Sequence, residues 1–139
     1  MDREIKFRGK DIASNKWLFG DLRHHKDDMC IFEHGGNKGE QVKPETVGQF
    51  TGLKDKNGQE IYEGDVIKTA FDTRAFGVVT WNEDGYFFID MDFGKHDNAN
   101  CEYSTLGRML RVQIDGKPID IEIIGNIHEN PELMKGGRQ

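Results

Sequence analysis

Residues 53 to 67 read Leu53-Lys-Asp-Lys-Asn-Gly-Gln-Glu-Ile-Tyr-Glu-Gly-Asp-Val-Ile67, and the Asn57-Gly58 pair inside them decides the fold class. Asn-Gly accepts the positive φ angles of a tight hairpin at little steric cost, so a strand ending near Leu53 is joined to one beginning near Gln59. Downstream, Glu63-Gly-Asp65 introduces Val66 to Phe71, and Gly77 to Trp81 is linked by Asn82-Glu-Asp-Gly85 to Tyr86 through Phe93. In that last run Phe87, Ile89, Met91 and Phe93 share one face of a pleated strand, and Phe88, Asp90 and Asp92 share the other. Ile119, Ile121, Ile123 and Ile127 repeat the pattern, with Asp120, Glu122, Ile124, Asn126 and His128 opposite. Phe87, Ile89, Ile121 and Ile123 are the expected core. Short strands at this spacing predict a small barrel after residue 54, because closure removes exposed edges.

Upstream of the hairpin the same period continues. Ile5 and Phe7 alternate with Glu4, Lys6 and Arg8; Trp17 to Leu22 follows a turn-like segment; Met29 to Glu33 stops at His34-Gly-Gly-Asn-Lys-Gly39. Helix signals are few. Ser104-Thr105 caps a short helix over Leu106 to Leu110, and Asn130-Pro-Glu-Leu133 places proline in a first helical position.

Hydrophobic residues make up 35% and mean hydropathy is −0.73, values that alone suggest disorder. Nine Phe, three Tyr and two Trp argue for a folded chain, since disordered segments are poor in aromatics. The charged start and the lack of a long apolar run predict a cytoplasmic protein, with Cys30 and Cys101 as thiols. Residues 1 to 69 carry 12 basic and 13 acidic side chains, and residues 70 to 139 carry 7 and 12. The net charge of −6 weighs against phosphate binding, which Lys and Arg drive, and leaves room for a local basic patch.

Thr46 to Ile67, together with Ile124-Gly-Asn-Ile-His-Glu-Asn-Pro-Glu-Leu133, resembles the YopX family of phage and prophage proteins, and Arg3-Glu-Ile-Lys-Phe-Arg8 resembles its opening. The resemblance implies an α+β, β-rich fold: an N-terminal α+β portion over residues 1 to 53, then an SH3-like barrel over residues 54 to 139. It also implies phage origin, and supplies no catalytic residue set. The stretch from Phe71 to Cys101 departs most from the family pattern.

Several clusters of polar side chains have both a chemical and an ordinary structural reading. His24, His25, Asp27, Asp28, Cys30 and His34 form the densest group of metal-ligand types, but their spacing matches no familiar zinc site, and a polar loop entering a strand accounts for them. Asp90 and Asp92, followed by His96, Asp97 and Glu102, suit acid/base or Mg²⁺ chemistry, yet alternating acids also describe a solvated strand face. Gly35 to Gly39 lacks the Lys-Ser/Thr and helix start of a phosphate loop. His128 is expected on a polar face, and Trp17 and Trp81 in the core. No metal or cofactor is expected.

The reading that results is a non-enzymatic accessory protein that binds a host or phage protein. Asp90, Asp92, Asp120 and Glu122 form its candidate contact face, and a homo-oligomer is compatible with it. The alternative is a nucleic-acid-binding module gripping a backbone through Arg74, Arg108 and Arg111 on the barrel; an enzyme or ligand-binding protein comes third. A basic groove with exposed aromatics favours the alternative, and an apolar patch rimmed by acids favours the first.

Overall fold

The computed structural model describes residues 4–33, 36, 38–69, 72–82, 86–90, 104–105, 113–114, 117–118 and 121–133. The chain divides into two units, residues 1–52 and 53–139.

The first unit is an antiparallel sheet built from β1 (Phe7–Lys10), β2 (Trp17–His25), β3 (Asp28–Glu33), β4 (Gly39–Val42) and the start of β5 (Gly48–Lys54), in the order β4-β3-β2-β1-β5. Its apolar face follows from the period of two: Phe7, Leu18, Leu22, Ile31 and Val42 lie on one side, and Ile31 and Val42 are fully buried. The sheet curls until β4 returns to the end of β1, where Asp11 bridges Val42 and the Lys43 amide donates to the Lys10 carbonyl at 2.8 Å. A side chain on Gly9 would begin 3.0 Å from the Val42 Cβ and one of its methyls, so glycine permits that return. Buried Thr46, in a short 3-10 turn over Pro44–Thr46, ties the junction: its hydroxyl accepts from the Lys10 amide at 2.9 Å and donates to the Lys43 carbonyl at 2.6 Å.

The second unit continues from the end of β5 through the Asp55–Gly58 turn into β6 (Glu60–Tyr62), which confirms the hairpin read from Asn57-Gly58. Its five-stranded antiparallel sheet has the order β10-β9-β8-β7-β13, formed by β7 (Asp65–Thr69), β8 (Asp72–Asn82), β9 (Tyr86–Asp90), β10 (Ser104–Thr105) and β13 (Ile121–Asn126). Two-residue strands β11 (Gln113–Ile114) and β12 (Lys117–Pro118) pair separately. Ile61, Ile67, Val79 and Ile121 form the buried core, with Leu53 and Ile123 packed against it. Each fully buried isoleucine contributes about 1.5 to 3 kcal/mol. Of the four expected core residues, Ile121 is buried and Ile123 is partly buried; the side chains of Phe87 and Ile89 lie outside the described residues.

Several expectations are corrected. The α+β portion and the SH3-like barrel are not found: the described residues hold antiparallel sheets, the one 3-10 turn and a helical step at Glu132–Leu133, and no closed barrel. The reason lies at β13, whose outer edge is taken by the hairpin turn. The Lys56 amide donates to the Ile121 carbonyl at 2.9 Å, and the Asp55 carboxylate accepts from the Ile123 amide at 3.1 Å. An edge capped in this way has no need of another strand to close it. Ser104-Thr105 is a strand on β9 instead of a helix cap. The alternation along the last strand breaks at a register shift between Ile123 and Gly125, after which Asn126 is buried and His128 falls in a turn.

Candidate functional site

Most of the residues that carry the family resemblance, those of 53–67 and 124–133, lie in the second unit. Asp55, 6% exposed, accepts from the amides of Asn57 and Gln59 through one oxygen, both at 2.9 Å, and from Ile123 through the other. Asp65 is buried and accepts from the Tyr62 amide at 2.7 Å, closing the turn through Gly64, whose φ is +95°. Gly64 donates to the Val79 carbonyl and accepts from the Ile127 amide. Asn126 accepts from the amides of His128 and Glu129, and Asn130 accepts from the Asn126 amide at 3.2 Å while lying over Gly125, where a Cβ would sit 2.6 Å from its oxygen. These polar residues complete backbone hydrogen bonds where the chain turns, a structural use.

The histidine and cysteine group is split by the strand period. His24 pairs with Met29 and His25 with Asp28, so the adjacent histidines face opposite sides, while half-buried Cys30 shares the His25 side. Among the described residues no three His, Cys, Asp or Glu side chains converge. His34, His96, Asp97 and Glu102 lie outside the described residues.

The acidic contact face is described only in part. Asp90 ends β9 opposite Val78, and half-buried Glu122 stands in β13, ion-paired with the Lys56 ammonium at 3.1 Å. Asp92, Asp120 and the Asp90 side chain lie outside the described residues, as do Arg108, Arg111 and the Arg74 side chain.

A surface that sequence reasoning missed lies on the outer side of the first unit. Lys6, just before β1, alternates with Arg8 and Lys10 within it, and the register sets Arg8 opposite Phe19 and Lys10 opposite Trp17. The Arg8 guanidinium stacks over the Trp17 ring at 4.6 Å, with the Lys10 ammonium at 5.4 Å; Lys6 lies 5.1 Å over Phe50, and Arg23 5.1 Å over Phe32. Phe19 is 44% exposed at the centre of this row, and Asp21 and Arg23 follow it on the same side of β2, both exposed. Neither tryptophan belongs to the core: Trp17 is half-buried under its cations, and Trp81 is 50% exposed. The signal was present as two alternations, cationic in β1 and aromatic in β2, but only the strand register places one on the other.

Fold and surface together define a class, a two-unit antiparallel β protein with a stacked cation–aromatic face on its first unit. The profile of the family described as YopX protein matches residues 6–135, and the chain belongs to the YopX family. Among solved structures it is similar to protein EF1440 from Enterococcus faecalis, with 24% identity and a TM-score of 0.51 over 96% of this chain and 99% of that one, a likeness of fold. No curated protein matches it. Among the described residues, no helix is long and apolar enough to cross a membrane.

Proposed function

We infer that this YopX-family chain is a non-enzymatic phage-type accessory protein that works by binding another protein, and that its partner reads the acidic second unit. The observation that carries this is the partition of charge. Residues 1–52 hold nine basic and nine acidic side chains, whereas residues 53–139 hold ten and sixteen, so the net −6 of the molecule sits wholly in the second unit. A field of one sign steers a basic partner and repels phosphate. Exposed Trp81 adds the kind of aromatic anchor that dominates protein interfaces.

Affinity capture by the full chain from phage-infected host cells tests this reading. A basic protein is expected, retained by the wild type, released by salt, and lost when Asp90, Asp92 and Asp120 are replaced by Lys. Glu122 is left unchanged because its bond to Lys56 ties it to the fold. Retention unaffected by the replacements, or co-purification of a nucleotide in place of a protein, would end the proposal.

Nucleic acid is the second reading, favoured by the cation–aromatic face of the first unit. Counter to it, Arg8 is only 7% exposed and the Lys6 ammonium already meets Glu4 at 2.8 Å. Cations held against rings and carboxylates displace few counterions.

A further inference from the structure

The outer face of the first unit has three properties that point to one occupant. It is apolar at its centre, where Phe19 is 44% exposed beside half-buried Trp17 and Phe32. It carries charges of both signs in fixed alternation: Asp21 and Arg23 stand two residues apart on the same side of β2, about 6.8 Å along the strand. The Asp21 carboxylate has no hydrogen bond or ion pair among the described residues, and the Arg23 guanidinium lies over the Phe32 ring. Finally, this face belongs to the unit whose charges sum to zero.

We propose that the outer face of the first unit pairs with the same face of a second copy of this chain about a two-fold axis beside β2. Asp21 of each copy then meets Arg23 of the other, and the two Phe19 rings are covered. A two-fold contact requires a self-complementary patch, and an acid and a base flanking a rotation axis satisfy that requirement. Charge decides against the other unit as the contact, since two copies of a −6 surface repel, while two neutral units do not. Size sets the strength. A curled face of five strands, four to nine residues long, about 4.8 Å apart and rising about 3.4 Å per residue, offers a footprint on the order of 500 Å², at the small end of specific interfaces. The dimer is therefore reversible, with a dissociation constant in the micromolar range.

Sedimentation equilibrium of the full chain from about 1 µM to about 1 mM reads this directly. A monomer–dimer equilibrium is expected, weakened about tenfold by Asp21→Arg alone or Arg23→Asp alone, because each replacement sets like charges together twice. The double variant Asp21→Arg/Arg23→Asp is expected to restore the wild-type constant, an outcome that general surface damage does not produce. Phe19→Ser is expected to weaken pairing without lowering the melting temperature. A chain that stays monomeric across the range, or a double variant no better than the singles, overturns the proposal. So does binding of a single-stranded oligothymidine by monomers that is lost in Phe19→Ser, which would assign the face to nucleic acid. None of these outcomes bears on the acidic second unit, whose partner is tested by capture.

Discussion

The two units differ in how they use their charged side chains. In the second, Asp55, Asp65 and Asn126 are buried, and each accepts backbone amides at a turn. In the first, buried Thr46 serves a turn in the same way, but arginine and lysine lie against aromatic rings on a sheet face. Buried carboxylates that satisfy amides leave little freedom for substitution, because removing one strands several donors at once. Stacked cations that keep contact with solvent, such as Lys10, are individually replaceable. The contrast explains why the part of the family motifs that falls in the second unit says little about function.

The sharpest way to break this comparison is Asp55→Ala. Three amides lose their acceptor inside the second unit, and a loss of about 3 to 5 kcal/mol is expected from denaturant unfolding. A loss below about 1 kcal/mol would mean that water replaces the carboxylate there and that the buried lock is not one. Trp17→Ala in the first unit should cost less, about 1 to 2 kcal/mol, since a half-buried ring and its stacked cations are lost without orphaning a buried amide.

Smaller effects sharpen the contrast at the turns of the first unit. Lys26 turns β2 into β3 with φ at +56°, a left-handed angle that disfavours side chains. Lys26→Gly is therefore expected to stabilise by about 0.5 to 1 kcal/mol, read as a rise in the denaturation midpoint at unchanged slope. The smallest effect concerns Asp11, whose carboxyl is held below the usual aspartate range chiefly by the Ala13 amide and next by the Ser14 hydroxyl. A depressed folded-state value means its contribution is present above the ordinary aspartate range and is lost as the pH falls through the folded value. Hydrogen exchange at Ala13 should quicken in acid relative to its intrinsic rate, and Asp11→Asn should flatten that dependence.

Much of the strand pattern was legible, because a period of two and an Asn-Gly turn are local signals. Leu53, Asp55, Gly58 and Ile121 sit where the alternation puts them. Closure was not legible. Whether β13 pairs with a further strand depends on a carboxylate 68 residues earlier in the chain, and no local pattern reports that bond. The bulge before Gly125 likewise reversed the phase of the last strand, burying Asn126 where alternation placed it on the polar side. The cation–aromatic face escaped for a related reason: Lys10 and Trp17 are joined by register, and register is a property of paired strands.

The bond from the Ile123 amide to Asp55 also sets an order of events during synthesis. The hydrogen bonds that tie the first unit together, such as those from Lys43 and Phe50 back to Lys10 and Lys6, all close within residues 1–52, so it can assemble while the rest of the chain is still being made. The second cannot be completed until Ile123 has left the ribosome, since contacts between distant residues form only after the intervening loop is closed. For that interval Asp55 waits beside its own turn with one oxygen unfilled, and the apolar side of Ile61 and Ile67 waits with it. Translation pauses between these segments would lengthen the exposure of that half-built core, the period in which nascent chains aggregate.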